Sequence, residues 1–361
     1  MRVLHLASVM GIGGAEALVL EMVRRGHEVG WESAVASGGG LRADLLAAEG
    51  FQTFDVPPAE RSVSGLARAR AAASAAVSAF RPDVVIAHNV SATAVARLAR
   101  PALPAFVPLP RRGVPVVTVF HGVGEADYRG AARVLTLTTD HVVVVADAIG
   151  RRLSGAGLRG VGTSVIRNAV TVPESVDRAA ARAELELGDG PVALCLARMA
   201  EQKRHDILID AWKLRDDGVL LLAGDGPLRA DLERRAAPLG DRVRFLGARS
   251  DVPRLLAATD VTVLTSDWEG LPIAVLESLA AGRPVVATDV DGLREVLGGG
   301  GGRLVPPRDP DAAARALGEL LDDPAARAAE AEAGLATIRT AYDPGAMMRS
   351  YDDLIRRICT R

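Results

Sequence analysis

The sequence predicts an α/β protein built from two doubly wound domains with parallel sheets. Short apolar runs that end in glycine or polar residues recur along the 361 residues, with helical patterns between them. Strands that alternate with helices form βαβ units, and their parallel strands are buried on both faces. The runs also fall into two series of about six, which together exceed the usual size of one sheet.

The elements follow in chain order. The first series of predicted strands comprises RVLHLAS, VGWESAVAS, PDVVIAH, VPVVTVFHG, HVVVVA and GTSVIRN. The second comprises PVALCLAR, GVLLLAGDG, RVRFLG, DVTVLTS, RPVVAT and GRLVPP. The pattern breaks at RNAVTVPES, so we predict a first domain over residues 1–169 and a second over 170–341. Residues 342–361 contain the helical pattern AMMRSYDDLIRRI, and we expect this helix to return to the first domain.

The composition excludes several classes of function. A formal net charge of −2 leaves no basic footprint for a nucleic acid. Cys195 and Cys359 lie far apart, so nothing suggests a disulfide or a metal site. No uncharged apolar run approaches the ~18 residues of a membrane span. The start, MRVLHLASVMGIGGAEA, is interrupted by His5 and several glycines and fits a strand and loop better than a signal peptide, so we expect a cytoplasmic protein.

Two glycines follow the first predicted strand, in MGIGGAEA. Gly13 and Gly14 would let backbone N–H groups approach an anion, and the next helix would add the positive end of its dipole. A dinucleotide fingerprint requires a third glycine where Glu16 stands, which argues against NAD. A plain tight turn stays open as the alternative for the glycine pair.

Two histidines stand at the ends of predicted strands in the first domain. His88 closes DVVIAH, and His121 follows VVTVF and precedes Gly122. Either could be a hydrogen-bonded structural histidine. The flanking glycine makes His121 the stronger functional candidate.

The second domain carries two cations in a strand-to-helix loop, within LARMAEQKRHDILIDAW. Arg198 and Lys203 in this position suit a diphosphate, because arginine binds oxygens as a fork and lysine as a point charge. Ordinary surface charges are the alternative. After the next strand, LLLAGDGPLR places Gly224 and Gly226 in a turn, whose contact with a ligand the sequence leaves open.

Two glutamates bound the segment EGLPIAVLE. Glu269 lies in a loop, and Glu277 lies in a helix predicted over Pro272 to Ala281. That helix is apolar nearly all round, so we expect Glu277 to be buried. A buried carboxylate is costly unless donors satisfy it. The vicinal hydroxyls of a ribose would do so, as would backbone amides or a buried arginine.

Together these motifs resemble the retaining glycosyltransferases of family four, which have the GT-B fold, two Rossmann-like domains facing across a cleft. The resemblance covers essentially the whole chain and rests on GGAE, TVFHG, the Arg/Lys loop, LAGDGPLR and SDWEGLPIAVLESLAAGRPVVATDVDGLREVL. It implies transfer from a nucleoside-diphosphate sugar, UDP- in preference to GDP-, held mainly by the second domain. The acceptor would be a hydroxyl of a glycan, a lipid-linked or a small molecule, met on the side of the first domain.

The resemblance also implies roles for individual residues. Arg198 and Lys203 would bind the diphosphate, Glu277 the ribose hydroxyls, and Glu269 the sugar, while the base would stack near Arg249. The implied donor-binding set is Gly13, Gly14, Arg198, Lys203, Gly224, Arg249, Gly270, Leu271, Pro272 and Glu277. The implied catalytic set is His121, Arg198, Lys203 and Glu269. No cofactor and no metal are expected, and the D-x-D strings at Asp289 and Asp309 lie in ordinary loop contexts.

Some features depart from the family or leave rivals open. The helix after the glycine pair is about one turn shorter than usual, and Ala169 stands where the family has glycine in a turn. A GT-B-like sugar-nucleotide epimerase, a phosphorylase and a non-catalytic sugar-nucleotide-binding protein would share the architecture. A nicotinamide oxidoreductase is disfavoured by Glu16.

Residues 95–113 combine four arginines with an apolar, proline-rich middle. This segment could contact an anionic membrane peripherally, at ~1 kcal/mol per basic residue, and help to bind a lipid-linked or anionic acceptor. Its prolines argue against one regular amphipathic helix. A surface connection that packs on the first domain is the alternative.

Overall fold

The computed structural model describes residues 1–59, 62–99 and 113–360, and it divides into two compact units. Unit 1 comprises Met1–Asn168 and Pro344–Arg361, and unit 2 comprises Ala169–Asp343. Ala169 itself is buried and does not adopt a positive φ. Most of the predicted membrane-contact segment, residues 100–112, lies outside the described residues.

Unit 1 is a parallel α/β unit. Its described strands are β1 Arg2–Leu6, β2 Glu32–Ser37, β3 Gln52–Asp55, β4 Val84–Ala87, β5 Val116–Phe120, β6 His141–Val144 and β7 Gly162–Val165. Its described α-helices are α1 Gly14–Arg25, α2 Leu41–Ala48, α3 Val63–Phe80, α4 Val90–Leu98, α5 Tyr128–Thr138, α6 Asp147–Gly155 and, at the end of the chain, α15 Pro344–Cys359. The strands lie in the order β3-β2-β1-β4-β5-β6-β7, all parallel.

Unit 2 repeats the plan. Its strands are β8 Val192–Leu196, β9 Val219–Ala223, β10 Val243–Gly247, β11 Val261–Leu264, β12 Val285–Thr288 and β13 Gly302–Val305. Its α-helices are α7 Arg178–Glu184, α8 His205–Lys213, α9 Arg229–Ala236, α10 Val252–Ala258, α11 Ile273–Ala280, α12 Asp291–Leu297, α13 Pro310–Leu321 and α14 Pro324–Ala341. The order is β10-β9-β8-β11-β12-β13. The predicted fold class, two doubly wound parallel sheets, is confirmed.

The strand prediction was complete for unit 2 and one strand short for unit 1. The missed strand, β3, is four residues long and lies at the edge of its sheet. Three of its residues are exposed, so it lacks the continuous apolar run of a strand buried on both faces. Across β8, by contrast, Cys195 packs with Trp212 on one face and Leu194 with Leu255 on the other.

Part of the run of five glycines at 298–302 has a structural role. Gly301 and Gly302 donate their backbone N–H groups to one carboxylate oxygen of Glu330, at 2.8 and 2.9 Å. Gly302 also starts β13 so close to Val285 that a Cβ atom would overlap the Val285 carbonyl. The turn therefore binds an anionic side chain of the protein itself.

Both sheets reverse their strand order at one point, between β1 and β4 in unit 1 and between β8 and β11 in unit 2. Open α/β sheets bind ligands in the crevice at this point, outside the carboxyl ends of the strands. Among the described residues, no helix has both the length and the apolar character needed to cross a bilayer.

Candidate functional site

The predicted donor residues of unit 2 follow four neighbouring strands. Arg249 follows β10 and Gly224 follows β9. Arg198 and Lys203 follow β8, and Glu269 follows β11. Because these strands are consecutive in the sheet, the residues lie along one edge, and the two charged loops flank the point where the strand order reverses.

An ion pair lies in the middle of this row of loops, at the carboxyl ends of the strands. The ammonium nitrogen of Lys203 lies 2.5 Å from Oε1 of Glu269, and the Ser266 hydroxyl donates to the same oxygen at 2.5 Å. Glu269 is only 4% exposed. The two residues are 66 positions apart in the chain, and the pairing of β8 with β11 brings them together. A cation suited to a diphosphate is therefore held beside a buried carboxylate.

The expectation that Glu277 is buried was wrong. Glu277 lies on α11 but is partly exposed, whereas Glu269 in the loop is the buried carboxylate. Within α11 the partly exposed positions are 274 and 277, and position 281 at its C-cap continues the same stripe of the helix. Two of these are alanines, so the solvent-facing stripe looked apolar in the sequence.

The loop after β8 is tied to the loop after β11 by hydrogen bonds. The backbone N–H of Asp267 donates to the Gln202 carbonyl at 2.9 Å, and the Gln202 amide donates to the Trp268 carbonyl at 2.8 Å. The Thr265 hydroxyl donates to the Arg204 carbonyl at 2.8 Å. These bonds fix the backbone around the ion pair. Sequence reasoning missed these residues, although the polar cluster TSDWEG at a strand end was a signal for them.

The glycines of the predicted turn after β9 are required by close backbone packing. A Cβ on Gly224, whose φ is 145°, would overlap the Ala197 carbonyl, and one on Gly226 would overlap that of Met199. Ala197 and Met199 flank Arg198, so these glycines shape the loop that carries it. Their contact with a ligand stays a prediction.

The two arginines of the predicted set differ in their surroundings. Arg249 donates Nε and Nη2 to the two carboxylate oxygens of Asp251, at 2.8 and 2.6 Å. Arg198 is exposed, and no carboxylate within the described part of the chain forms an ion pair with it. Arg198 is thus the more available cation for an anionic ligand.

The segment from Gly270 to Pro272 leads into α11. Gly270 and Leu271 are buried, and a Cβ on Gly292 would overlap the Gly270 carbonyl, so α12 packs directly on this segment. Pro272 caps the start of α11 but has no N–H group. Of the three residues in the implied donor-binding set, Gly270 and Leu271 therefore have a backbone N–H that could be donated to a sugar, and Pro272 does not.

In unit 1, the glycine pair lies where β1 leads into α1. Gly13 is the N-cap of α1, Gly14 is its first residue, and both are exposed. The Glu16 carboxylate lies over Gly13, so the first turn of this helix already has a negative charge nearby.

Three histidines lie at or near the carboxyl ends of neighbouring strands β1, β4 and β5. Nδ1 of His5 and Nε2 of His88 are 3.1 Å apart, and both side chains are buried. Burial lowers the pKa of His5 to about 3, that of His121 to about 4, and that of His88 well below its ordinary value, with His5 and His121 as further causes for His88. All three imidazoles are therefore neutral near pH 7. His5 is thus the hydrogen-bond partner that a structural role of His88 requires.

Within the described residues, no group of three or more His, Cys, Asp or Glu side chains is placed to hold a metal ion. Metal independence of the reaction stays a prediction.

Two family profiles match the chain. Glycosyltransferase Family 4 matches residues 12–172, and Glycosyl transferases group 1 matches residues 190–323. The lipopolysaccharide core biosynthesis glycosyltransferase LpsE of Rhizobium meliloti is 32% identical over 244 residues, which cover 63% of this chain and 71% of LpsE. The alpha-D-kanosaminyltransferase of Streptomyces kanamyceticus is 37% identical over 172 residues, 44% of this chain and 45% of that protein. A GDP-mannose-dependent monoacylated alpha-(1-6)-phosphatidylinositol monomannoside mannosyltransferase of Corynebacterium glutamicum is 35% identical, over 50% of this chain and 51% of that one.

Solved structures share the fold over nearly the whole chain. Anabaena HepE, solved in complex with UDP-glucose, has a TM-score of 0.85 at 22% identity and covers 99% of this chain and 100% of its own. Sucrose-phosphate synthase from Thermosynechococcus elongatus has a TM-score of 0.84 at 21% identity, with 99% of each chain covered. The fold defines the class, a GT-B protein of two Rossmann-like units. Within that class, the chain belongs to the group 1 glycosyltransferases and is a glycosyltransferase.

Proposed function

We propose that this enzyme transfers a sugar, with retained anomeric configuration and without a metal, from a nucleoside-diphosphate sugar to an acceptor hydroxyl. The observation that carries the proposal is the Lys203–Glu269 pair at the strand-order reversal of unit 2, with exposed Arg198 in the same loop region. The cations would neutralise a diphosphate, and the carboxylate would accept hydrogen bonds from sugar hydroxyls.

The leaving group in such a transfer is the nucleoside diphosphate, whose charge grows as the glycosidic bond breaks. Arg198 and Lys203 would stabilise that charge, as would the N–H groups of Gly13 and Gly14. The sugar would pass through an oxocarbenium-like state, and the acceptor hydroxyl would attack on the face that the diphosphate leaves, giving its proton to an oxygen of the departing phosphate. Neutral His121 would contact the sugar as a hydrogen-bond partner.

Ribose binding is proposed for Glu277 and base stacking for Arg249. Glu277 is partly exposed on α11, and an ionised carboxylate at this position would accept hydrogen bonds from the two hydroxyls of a diol. UDP is the preferred nucleotide. HepE was solved with UDP and with UDP-glucose, whereas several relatives are named GDP-mannose-dependent, so the comparison of both nucleotides is part of the test.

The acceptor is proposed to be a glycan, a lipid-linked molecule or a small molecule. The names of the relatives span lipopolysaccharide core biosynthesis, 2-deoxystreptamine and phosphatidylinositol mannosides. A peripheral membrane contact through residues 95–113 would suit the lipid-linked class, and vesicle co-sedimentation at low and high salt would test it.

A donor panel tests the function. Thermal shifts with UDP- and GDP-sugars identify the donor, because a ligand at about one hundred times its dissociation constant adds ~2.7 kcal/mol of stability. Release of free nucleoside diphosphate only when an acceptor is present identifies a transferase. Release without acceptor would favour hydrolysis, and conversion of the donor sugar with no release would favour an epimerase. NMR of the product linkage reports the anomeric configuration, and unchanged turnover after treatment with EDTA would support metal independence.

A further inference from the structure

One carboxylate joins three loops at the carboxyl edge of the unit 2 sheet. Asp267 follows β11, and its two carboxylate oxygens accept from Nε and Nη2 of Arg308, each at 2.9 Å. The Nη1 atom of Arg204 donates to the same carboxylate at 3.3 Å. Arg204 belongs to the loop after β8, and Arg308 to the loop after β13. Asp267 thus links loops from both sides of its own strand.

Both arginines have an unfavourable backbone. Arg204 has a φ of 48° and Arg308 a φ of 62°, in the left-handed region that favours glycine. Arg308 directs its guanidinium to Asp267, whereas Arg204 donates Nε and Nη2 to Asp206, at 2.9 and 2.8 Å, and reaches Asp267 with Nη1. Such strain persists where the surrounding contacts enforce it. The hydrogen bond with Arg308 is the largest cause that lowers the pKa of Asp267, so this carboxylate stays ionised near neutral pH.

The linked loops carry the proposed reacting groups. Lys203 is the residue before Arg204, and Glu269 is the second residue after Asp267. A small shift of either loop would separate Lys203 from Glu269 and change where each meets a donor. A misplacement of about 1 Å can cost as much as a hundredfold in rate.

We propose that Asp267 is a positioning residue, which acts with Arg204 and Arg308 to hold the Lys203 and Glu269 loops in the geometry that the donor requires. The inference rests on the proposed function. Asp267 acts through the loops and does not touch the donor itself. Arg308 acts through Asp267, so removing either partner of that pair removes the same constraint.

Glycine substitutions test the proposal. They relieve the strain of the left-handed backbone and at the same time remove the hydrogen bonds to Asp267. We expect Arg308→Gly to melt at or above the wild-type temperature, yet to lower kcat about tenfold, with a smaller change in the affinity for UDP. Arg204→Gly should lower kcat as well, but it also breaks the pair with Asp206, so its melting temperature does not test the proposal. The matched control is Glu186→Gly. Its φ of 51° is similar, but it lies in the loop between α7 and β8, whereas Asp267 bonds to Arg204 and Arg308. Glu186→Gly should keep the wild-type kcat.

A double-mutant cycle separates positioning from direct contact. If Arg308 acts through Asp267, the Asp267→Asn/Arg308→Gly double variant is no slower than the worse single variant, and Arg308→Lys, which keeps one bond to the carboxylate, recovers part of the rate. Multiplicative losses would mean that Arg308 contacts the donor itself, and would overturn the proposal. Wild-type kcat in Asp267→Asn would overturn it as well. A wild-type enzyme that binds neither UDP nor GDP and transfers no sugar would instead overturn the proposed function, and this inference with it.

Discussion

The ammonium group of Lys203 lies 2.5 Å from a carboxylate oxygen of Glu269, a residue that is only 4% exposed. The cation proposed for the donor diphosphate is therefore already neutralised within the protein. By the proposed function, an incoming diphosphate would compete with Glu269 for Lys203. If Lys203 turned to the diphosphate, the freed carboxylate oxygen would be able to accept a hydroxyl of the donor sugar.

Glu269→Gln should bind UDP more tightly than the wild type, by up to about tenfold, because Lys203 no longer faces a negative charge. The same change should lower transfer on the order of a hundredfold, since the sugar loses an ionised acceptor. Isothermal titration with UDP and initial rates with the donor measure the two effects. Weaker binding of UDP would contradict the competition between diphosphate and Glu269.

Glu277→Gln should have the opposite effect on binding. An ionised carboxylate accepts two hydroxyl hydrogen bonds from a ribose, whereas an amide offers one acceptor and a misplaced donor. We expect weaker binding of both UDP and GDP and a smaller change in kcat. Unchanged affinities for both nucleotides, measured by the same titration, would exclude the ribose role.

Lys203→Met and Arg198→Ala should each lower transfer about a hundredfold or more, because each removes charge stabilisation from the leaving diphosphate. The two variants should differ in stability, because Lys203 belongs to a buried ion pair and Arg198 does not. Lys203→Met leaves the buried Glu269 carboxylate without its cation, which should lower the free energy of unfolding by ~3 kcal/mol. Arg198 is exposed, so Arg198→Ala should change the free energy of unfolding little.

The double variant Lys203→Met/Glu269→Gln is the control for this difference. It removes the unpaired charge of Glu269, so most of the lost stability should return while the activity does not. Urea unfolding of the four proteins measures the comparison. Equal stability of Lys203→Met and Arg198→Ala would mean that the ion pair is not buried in solution.

Gly292→Ala should reduce transfer, because the new methyl group would overlap the Gly270 carbonyl and displace the segment before α11. Gly318→Ala is the matched control within unit 2. It lies inside α13, where a Cβ has only ordinary contacts at 3.5 Å, so the higher helix propensity of alanine should stabilise it by up to ~1 kcal/mol. Normal activity in both variants would show that α12 does not set the position of Gly270.

Because the pKa values of His5, His88 and His121 are lowered in the folded protein, we expect the protein to lose stability in mild acid. In the unfolded chain a histidine takes up its proton near pH 6.5, whereas burial lowers the pKa of His121 to about 4 in the folded protein. Between these values the unfolded state binds more protons, so the free energy of unfolding falls as the pH decreases. The loss should approach ~2 kcal/mol per buried histidine between pH 7 and pH 5.

Urea unfolding at pH 7 and pH 5 measures this loss. His121→Gln removes one titrating group and leaves the His5–His88 pair in place, so its difference between the two pH values should be smaller than that of the wild type. Leu137→Gln, at a position that is 70% exposed, is the control and should keep the wild-type difference. Identical pH dependence in His121→Gln and the wild type would contradict a lowered pKa for His121.

Most of the fold could be predicted from the sequence, because a strand buried on both faces is a short continuous apolar run whatever its neighbours are. All six strands of unit 2 were identified in this way. The failures have physical causes. The exposed edge strand β3 has no such run, and alanines on the outer stripe of α11 concealed the exposure of Glu277.

The sequence by itself determined which charged residues stand at strand ends, since turn glycines and apolar runs are local features. Only the tertiary structure decided which of them meet. Lys203 and Glu269 are 66 residues apart, and His5 and His88 are 83 apart. Each pair depends on strands that are distant in the chain but adjacent in a sheet, β8 beside β11 and β1 beside β4. The order and register of strands follow from packing of the whole unit, which no local pattern encodes.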